Sequence, residues 1–373
     1  MAFSQDDFWE RMGLQEKDRT TCVETVRGRY DGYHVEKFEY QGYCSFTLLL
    51  SPQQGHIVSE VGFQSGAHIR ASEVAEQLIV QIRPAQHALD LDTAWAASRT
   101  HSLVAPMVRT LDLCLPGDLC AYEMNRLEGT PVSRLHPHER SIGVEIREKQ
   151  RALITSFTNF IAQSWPDVAS KKRRDSVLRP DSPSNEEQTI LSLCTGKVGS
   201  CIVPKLQKLA EELPDQWLRE RAQTTLDKLR VIDDYPVVLN HGDLIPSNIL
   251  VIKETWEITG LVDWAEAEYL PFGTCLYGLE YLLGFLQPAS QELDRPTFVY
   301  YDNAPQLQAK FWTTLLDLVP GLGGRQEEVR LMRDIGVLLW HGYAWDEGTI
   351  DRVVDEVNDG DELAKLRAFL SNS

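Results

Sequence analysis

His241, Asp243 and Asn248 lie close together in Asn240-His241-Gly242-Asp243-Leu244-Ile245-Pro246-Ser247-Asn248, and a second carboxylate, Asp263, ends Gly260-Leu261-Val262-Asp263 just downstream. One carboxylate to take a proton from an attacking hydroxyl, with an amide and a second carboxylate to offer hard oxygens to magnesium, is the inventory that phosphoryl transfer requires. That chemistry depends on positioning and charge neutralisation more than on covalent work by the protein. Asp243 is therefore read as the base and Asn248 and Asp263 as metal ligands. His241 is read as a brace for the loop rather than a reactant. Turn chemistry is the plainer alternative, since Asp, Asn, Gly, Pro and Ser all favour turns. It leaves the histidine, the later asparagine and the Asp263-Trp264 pair unexplained.

Three apolar runs must position these residues. Val237 to Leu239 delivers the loop, Ile249 to Ile252 leaves it, and Ile258 to Val262 ends on Asp263. Lys253 to Glu257 is short and polar, as a hairpin connection should be.

His241 to Asn248, together with Val262-Asp263-Trp264-Ala265-Glu266-Ala267-Glu268-Tyr269-Leu270-Pro271-Phe272-Gly273, resembles the aminoglycoside phosphotransferase family, and more narrowly its fungal members. The resemblance implies an α+β, bilobal protein-kinase-like fold with a small antiparallel-sheet N-lobe and a larger, mainly helical C-lobe. It also implies ATP and Mg2+ as cofactors and a small-molecule acceptor bearing a hydroxyl. The lobes are expected at residues 1–124 and 125–373.

By the same resemblance, the N-lobe supplies nucleotide contacts. Val35 to Leu50 reads as strand, turn and strand around Gln41-Gly42-Tyr43-Cys44-Ser45, which makes Gly42 and Ser45 phosphate-contact candidates. The stretch lacks Gly-x-Gly-x-x-Gly, and an ordinary hairpin accounts for it equally well. On the next strand, Gln77 to Pro84, the basic position falls on Arg83 where protein kinases have a lysine. An arginine grips phosphate as a fork rather than a point charge, and a plain strand-end surface charge is the competing reading. Asp92, on a helix expected over Leu89 to Ser102, would anchor that cation. Tyr122 to Gly129, including Met124, resembles the hinge whose backbone holds adenine.

The remaining sequence sets bounds. At 373 residues, with 43% hydrophobic and 25% charged side chains, the chain can bury a sizeable core. A formal charge of −18 argues against a nucleic-acid surface. Met1 to Arg11 lacks the basic start and apolar centre of a secretory signal, and no run has the length of a membrane span, so a cytoplasmic protein, monomer or homodimer, is expected. The seven cysteines contain no Cys-x-x-Cys pair and read as reduced thiols.

In the second lobe, helices are expected over Ser141 to Trp165 and over Pro204 to Leu229 with a break near Pro214. Lys171 to Arg174 reads as part of a solvated loop in so acidic a chain. Thr195-Gly196-Lys197-Val198 imitates part of a phosphate-binding loop but lacks its first glycine and its Ser/Thr. Glu266 and Glu268 would either meet a cationic acceptor or sit as edge charges, and Gly278 to Phe285 and Phe311 to Leu318 read as packing helices. Leu331 to Trp345 reads as core or acceptor-pocket wall. Two functions fit: a small-molecule kinase, or a kinase-fold protein that binds nucleotide or metabolite without transfer.

Overall fold

The computed structural model describes residues 7–53, 76–166, 190–290, 293–346 and 349–372. The Lys171 to Arg174 run lies outside them. The chain divides into two compact units, residues 1–98 with 105–127, and residues 99–104 with 128–373.

The first unit is built on an antiparallel sheet of β1 (Tyr33–Lys37), β2 (Phe46–Pro52), β3 (Leu78–Pro84), β4 (Val108–Leu111) and β5 (Leu119–Asn125), in the order β1-β2-β3-β5-β4. Period-two alternation sends Leu48, Leu50, Val80 and Ile82 to one face. Two N-terminal helices, Asp7–Arg11 and Glu16–Arg29, cover that face with Phe8, Trp9, Cys22 and Val26. The N-terminal helices therefore complete this core. On the other face, the helix Leu91–Thr100 sets Ala94 against Val108 and Tyr122. A sheet covered on both sides explains why β3 buries residues on both faces, Ile79 and Arg83 as well as Val80 and Ile82.

The second unit is mainly helical. The helix Val144–Gln163 packs on Ala304–Leu318, where the Phe157 and Phe311 rings lie 6.2 Å apart. Pro214 falls between the helices Ile202–Glu212 and Gln216–Leu229, as its missing N–H requires. Gln326–His341 packs on both and on the C-terminal helix Gly360–Ser371. Among the described residues, no helix is long and apolar enough to cross a membrane.

Short strands lie among these helices. A sheet of β6 (Thr130–Pro131), β8 (Ile249–Val251) and β9 (Ile258–Leu261) has β8 at its centre, and β7 (Val237–Asn240) pairs with β10 (Glu268–Pro271). The packing helix expected to reach Phe285 stops at Leu282, and β11 (Gly284–Gln287) begins there, paired with β12 (Thr297–Tyr300). Gly284 permits this ribbon, because a Cβ there would lie 2.4 Å from the Val299 carbonyl oxygen.

Candidate active site

Strand register brings the catalytic candidates of the second unit together. In the β8–β9 hairpin Ile249 faces Leu261, so Asn248 and Val262 are the next opposed positions, and the Val262 N–H donates to the Asn248 carbonyl at 3.0 Å. Asp263 follows directly. The Asn248 side-chain amide donates to the Asp243 carbonyl oxygen at 2.9 Å and to Asp243 Oδ2 at 2.8 Å. Its Nδ2 is thus committed to Asp243, which leaves Oδ1 as the atom able to meet a cation.

Backbone conformation supports the arrangement. Asp263 has φ 62° and ψ 65°, a left-handed conformation that costs a non-glycine residue roughly 1–2 kcal/mol. Its side chain is exposed. Gly242 has φ +79°, and a Cβ there would lie 1.7 Å from the Glu266 backbone oxygen. Gly242→Ala is expected to cost about 4 kcal/mol, combining left-handed strain with a backbone clash. Chemical denaturation checks this, and a loss below about 1 kcal/mol would contradict the close packing described.

Burial and the nearby Asp263 charge push the Asp243 carboxyl up to about 7, against the hydrogen bond from Asn248. His241 is fully buried, with its ring 4.4 Å from that of Trp264, and its Nδ1 accepts the Asp243 N–H at 3.3 Å. That bond places the proton of the neutral ring on Nε2. Burial lowers both His241 and His101 to about 4. His101 stacks on Trp264 and contacts Gln163.

These shifts have opposite consequences for stability. Folded-state values near 4 lie below the unfolded histidine value, so each histidine's contribution is complete above pH 6.5 and is lost as pH falls toward 4, by about 3 kcal/mol apiece. The raised Asp243 value acts oppositely, because protonation below about 7 relieves a buried charge. Asp243→Asn is therefore expected to be more stable than the parent at pH 7.5 and to lose stability more steeply between pH 6.5 and 4.5. Parallel urea titrations of the two proteins test this, and superimposable pH profiles would contradict it.

Several supporting residues had no assigned role in the sequence. Asn240, 2% exposed, donates to the Val238 and Leu270 carbonyls and accepts the Cys275 N–H, tying β7 to β10 and to the turn after it. The available signal was a polar residue ending an otherwise apolar strand. Tyr277 accepts the Leu244 N–H at 3.1 Å and stacks on Trp340 at 4.9 Å, so the apolar C-terminal stretch buttresses the loop. Glu268 is committed elsewhere: its carboxylate accepts the Val198 and Gly199 N–H groups at 2.8–3.1 Å. The partial phosphate-loop motif thus binds the protein's own anion, and Gly196, with φ +90°, leaves room for it. Glu266 remains exposed.

The nucleotide candidates of the first unit occupy varied settings. Ser45 is 2% exposed, and Gly42 lies against it, since a Cβ at Gly42 would be 2.9 Å from Ser45 Oγ. The Gln41 side chain donates to the Phe38 and Thr47 carbonyls and accepts the Thr47 N–H, bracing that turn. Arg83 is 4% exposed and donates to Gln81 Oε1 and the His87 carbonyl. The Asp92 side chain is exposed at the start of its helix. Met124 is half-buried on β5, opposite Ile79 and Val108. Among the described residues there is no group of three or more His, Cys, Asp or Glu able to hold a metal, so a cation here would rely on the oxygens of Asn248 and Asp263 with phosphate and water.

A family model described as "Phosphotransferase enzyme family" matches residues 199–274, which include the loop, the hairpin and Asp263. The chain is similar to a GDP complex of an aminoglycoside 2′-phosphotransferase at 13% identity, covering 95% of this chain and 97% of that one with a TM-score of 0.51. A ternary complex of an aminoglycoside phosphotransferase with AMP-PNP and hygromycin B matches at 12% identity over 94% and 98%, TM-score 0.49. An ethanolamine kinase from Plasmodium vivax matches at 13% identity over 93% and 86%, TM-score 0.47. No curated protein matches the sequence significantly. The fold is α+β and protein-kinase-like, with an antiparallel-sheet lobe and a mainly helical lobe.

Proposed function

We propose that this chain is a magnesium-dependent phosphotransferase that moves the γ-phosphate of ATP to a hydroxyl of a small molecule, and that its kinship lies with the fungal phosphotransferases. The observation that carries the reading is the Asn248 bridge to Asp243 beside an Asp263 held exposed in a left-handed backbone. Asp243 would accept the proton of the attacking hydroxyl, and burial raises the basicity of its carboxyl for that task. Asn248 Oδ1 and Asp263 would hold magnesium, which when bound neutralises phosphate charge. His241 fixes the Asp243 backbone, and Tyr277 fixes that of Leu244. In the first unit, Gly42, Ser45, Arg83 and Met124 would contact nucleotide, with Asp92 orienting the cationic residue.

The burial of Ser45 and Arg83 favours a second reading, a kinase-fold binder whose phosphate-side residues have become packing. A panel of hydroxylated compounds separates the two. Acceptor-stimulated ADP release with at least one compound supports transfer, whereas nucleotide binding without ADP release across the panel supports the binder.

A further inference from the structure

The second unit contains a recess of about 520 Å³ between the segment around His138 and Arg140 and the β11–β12 ribbon. That volume lies within the range of small-ligand sites. Its floor is set by register: Phe285 and Val299 are directly opposed across the ribbon, so both side chains stand on one face, with Phe285 buried against Ile142 and Tyr301 and Val299 half-buried beside it. His138 meets the Phe285 ring edge-on at 5.9 Å.

The walls are fastened from several directions. The Tyr301 hydroxyl donates to the Pro137 carbonyl at 2.8 Å, the Asp302 N–H donates to the Arg140 carbonyl at 3.0 Å, and the Tyr301 N–H donates to the Leu283 carbonyl. The recess is therefore preformed rather than a gap in a loose loop.

Charge defines the rim. Asp302, the carboxylate beside Tyr301, is paired with Arg147. Among the described residues, no ion pair or side-chain hydrogen bond holds the Arg140 guanidinium, and Arg140 lines the recess in a chain of net charge −18. An unmatched cation above an apolar floor suits one kind of ligand, a compact apolar or aromatic body carrying a single anionic group.

We propose that this recess is a binding site for such an anionic amphiphile, with Arg140 and His138 facing the anion and Val299, Leu286 and Pro288 the apolar body. The proposal does not rest on the phosphotransferase reading. Its test uses 8-anilinonaphthalene-1-sulfonate as the probe, titrated by fluorescence into the full-length protein.

One saturable site is expected, displaced by decanoate and not by decyltrimethylammonium at equal concentration. Arg140→Glu should weaken probe binding about tenfold or more, with the loss shrinking at high salt. Val299→Trp should abolish it by filling the floor. Arg140 is exposed, so its variant should keep the parent's melting temperature, which keeps the test valid should Val299→Trp fail to fold. Unsaturable binding, equal affinity in Arg140→Glu, or equal displacement by the cationic amphiphile would each overturn the proposal.

Discussion

Asp243→Asn is expected to lower phosphoryl transfer about a thousandfold while leaving magnesium–nucleotide binding within about twofold of the parent, since general-base catalysis contributes roughly 10²–10⁴. The substitution is nearly isosteric and retains an oxygen for the Asn248 amide, which donates to Asp243 Oδ2 at 2.8 Å. Loop geometry should survive, and with it the metal ligands. Nucleotide turnover and nucleotide-induced thermal stabilisation, measured on the same preparation, separate the two effects. Retained turnover would remove Asp243 from the role of base, and joint loss of turnover and binding would make it part of the binding site.

Asp263→Gly is expected to do the opposite to stability and the same to activity. Glycine adopts the left-handed conformation of this position without steric penalty, so the folded protein should gain about 1 kcal/mol after the greater chain entropy of glycine is set against the relieved strain. Removing the Asp263 charge also lowers the cost of the ionised Asp243 nearby. Turnover should fall to background because one of two proposed cation ligands is gone. Proteins commonly hold such strain where function needs it. Denaturant midpoints with and without magnesium and ATP provide the check. A destabilised variant, or one that keeps magnesium-dependent turnover, would show that the left-handed aspartate serves packing.

The loop and its two strands were legible because their constraints are local. His241 to Asn248 lie on one short loop, and the apolar runs on either side are short enough to be only strands. The helix break at Pro214 follows equally from one residue's covalent structure. What escaped the sequence depends on distant partners. Nothing near Tyr277 signals that its hydroxyl receives the Leu244 N–H, and nothing near Thr195 signals that Glu268 will fill its anion nest. The β11–β12 ribbon was hidden because Gly278 to Phe285 carries helical spacing up to the point where Gly284 meets Val299. Phe8 and Trp9 likewise find their place only against β2 and β3, which no local pattern signals.

The most direct measurement of the central claim is a thermal-shift titration of the parent, Asp243→Asn and Asp263→Ala proteins with ATP, with and without magnesium. Ligand at about a hundred times its dissociation constant stabilises by roughly 2.7 kcal/mol, which moves the melting temperature by several degrees. The account predicts a magnesium-dependent shift in the parent that persists in Asp243→Asn and disappears in Asp263→Ala. An absent shift in the parent, or a magnesium-dependent shift untouched by Asp263→Ala, would contradict it.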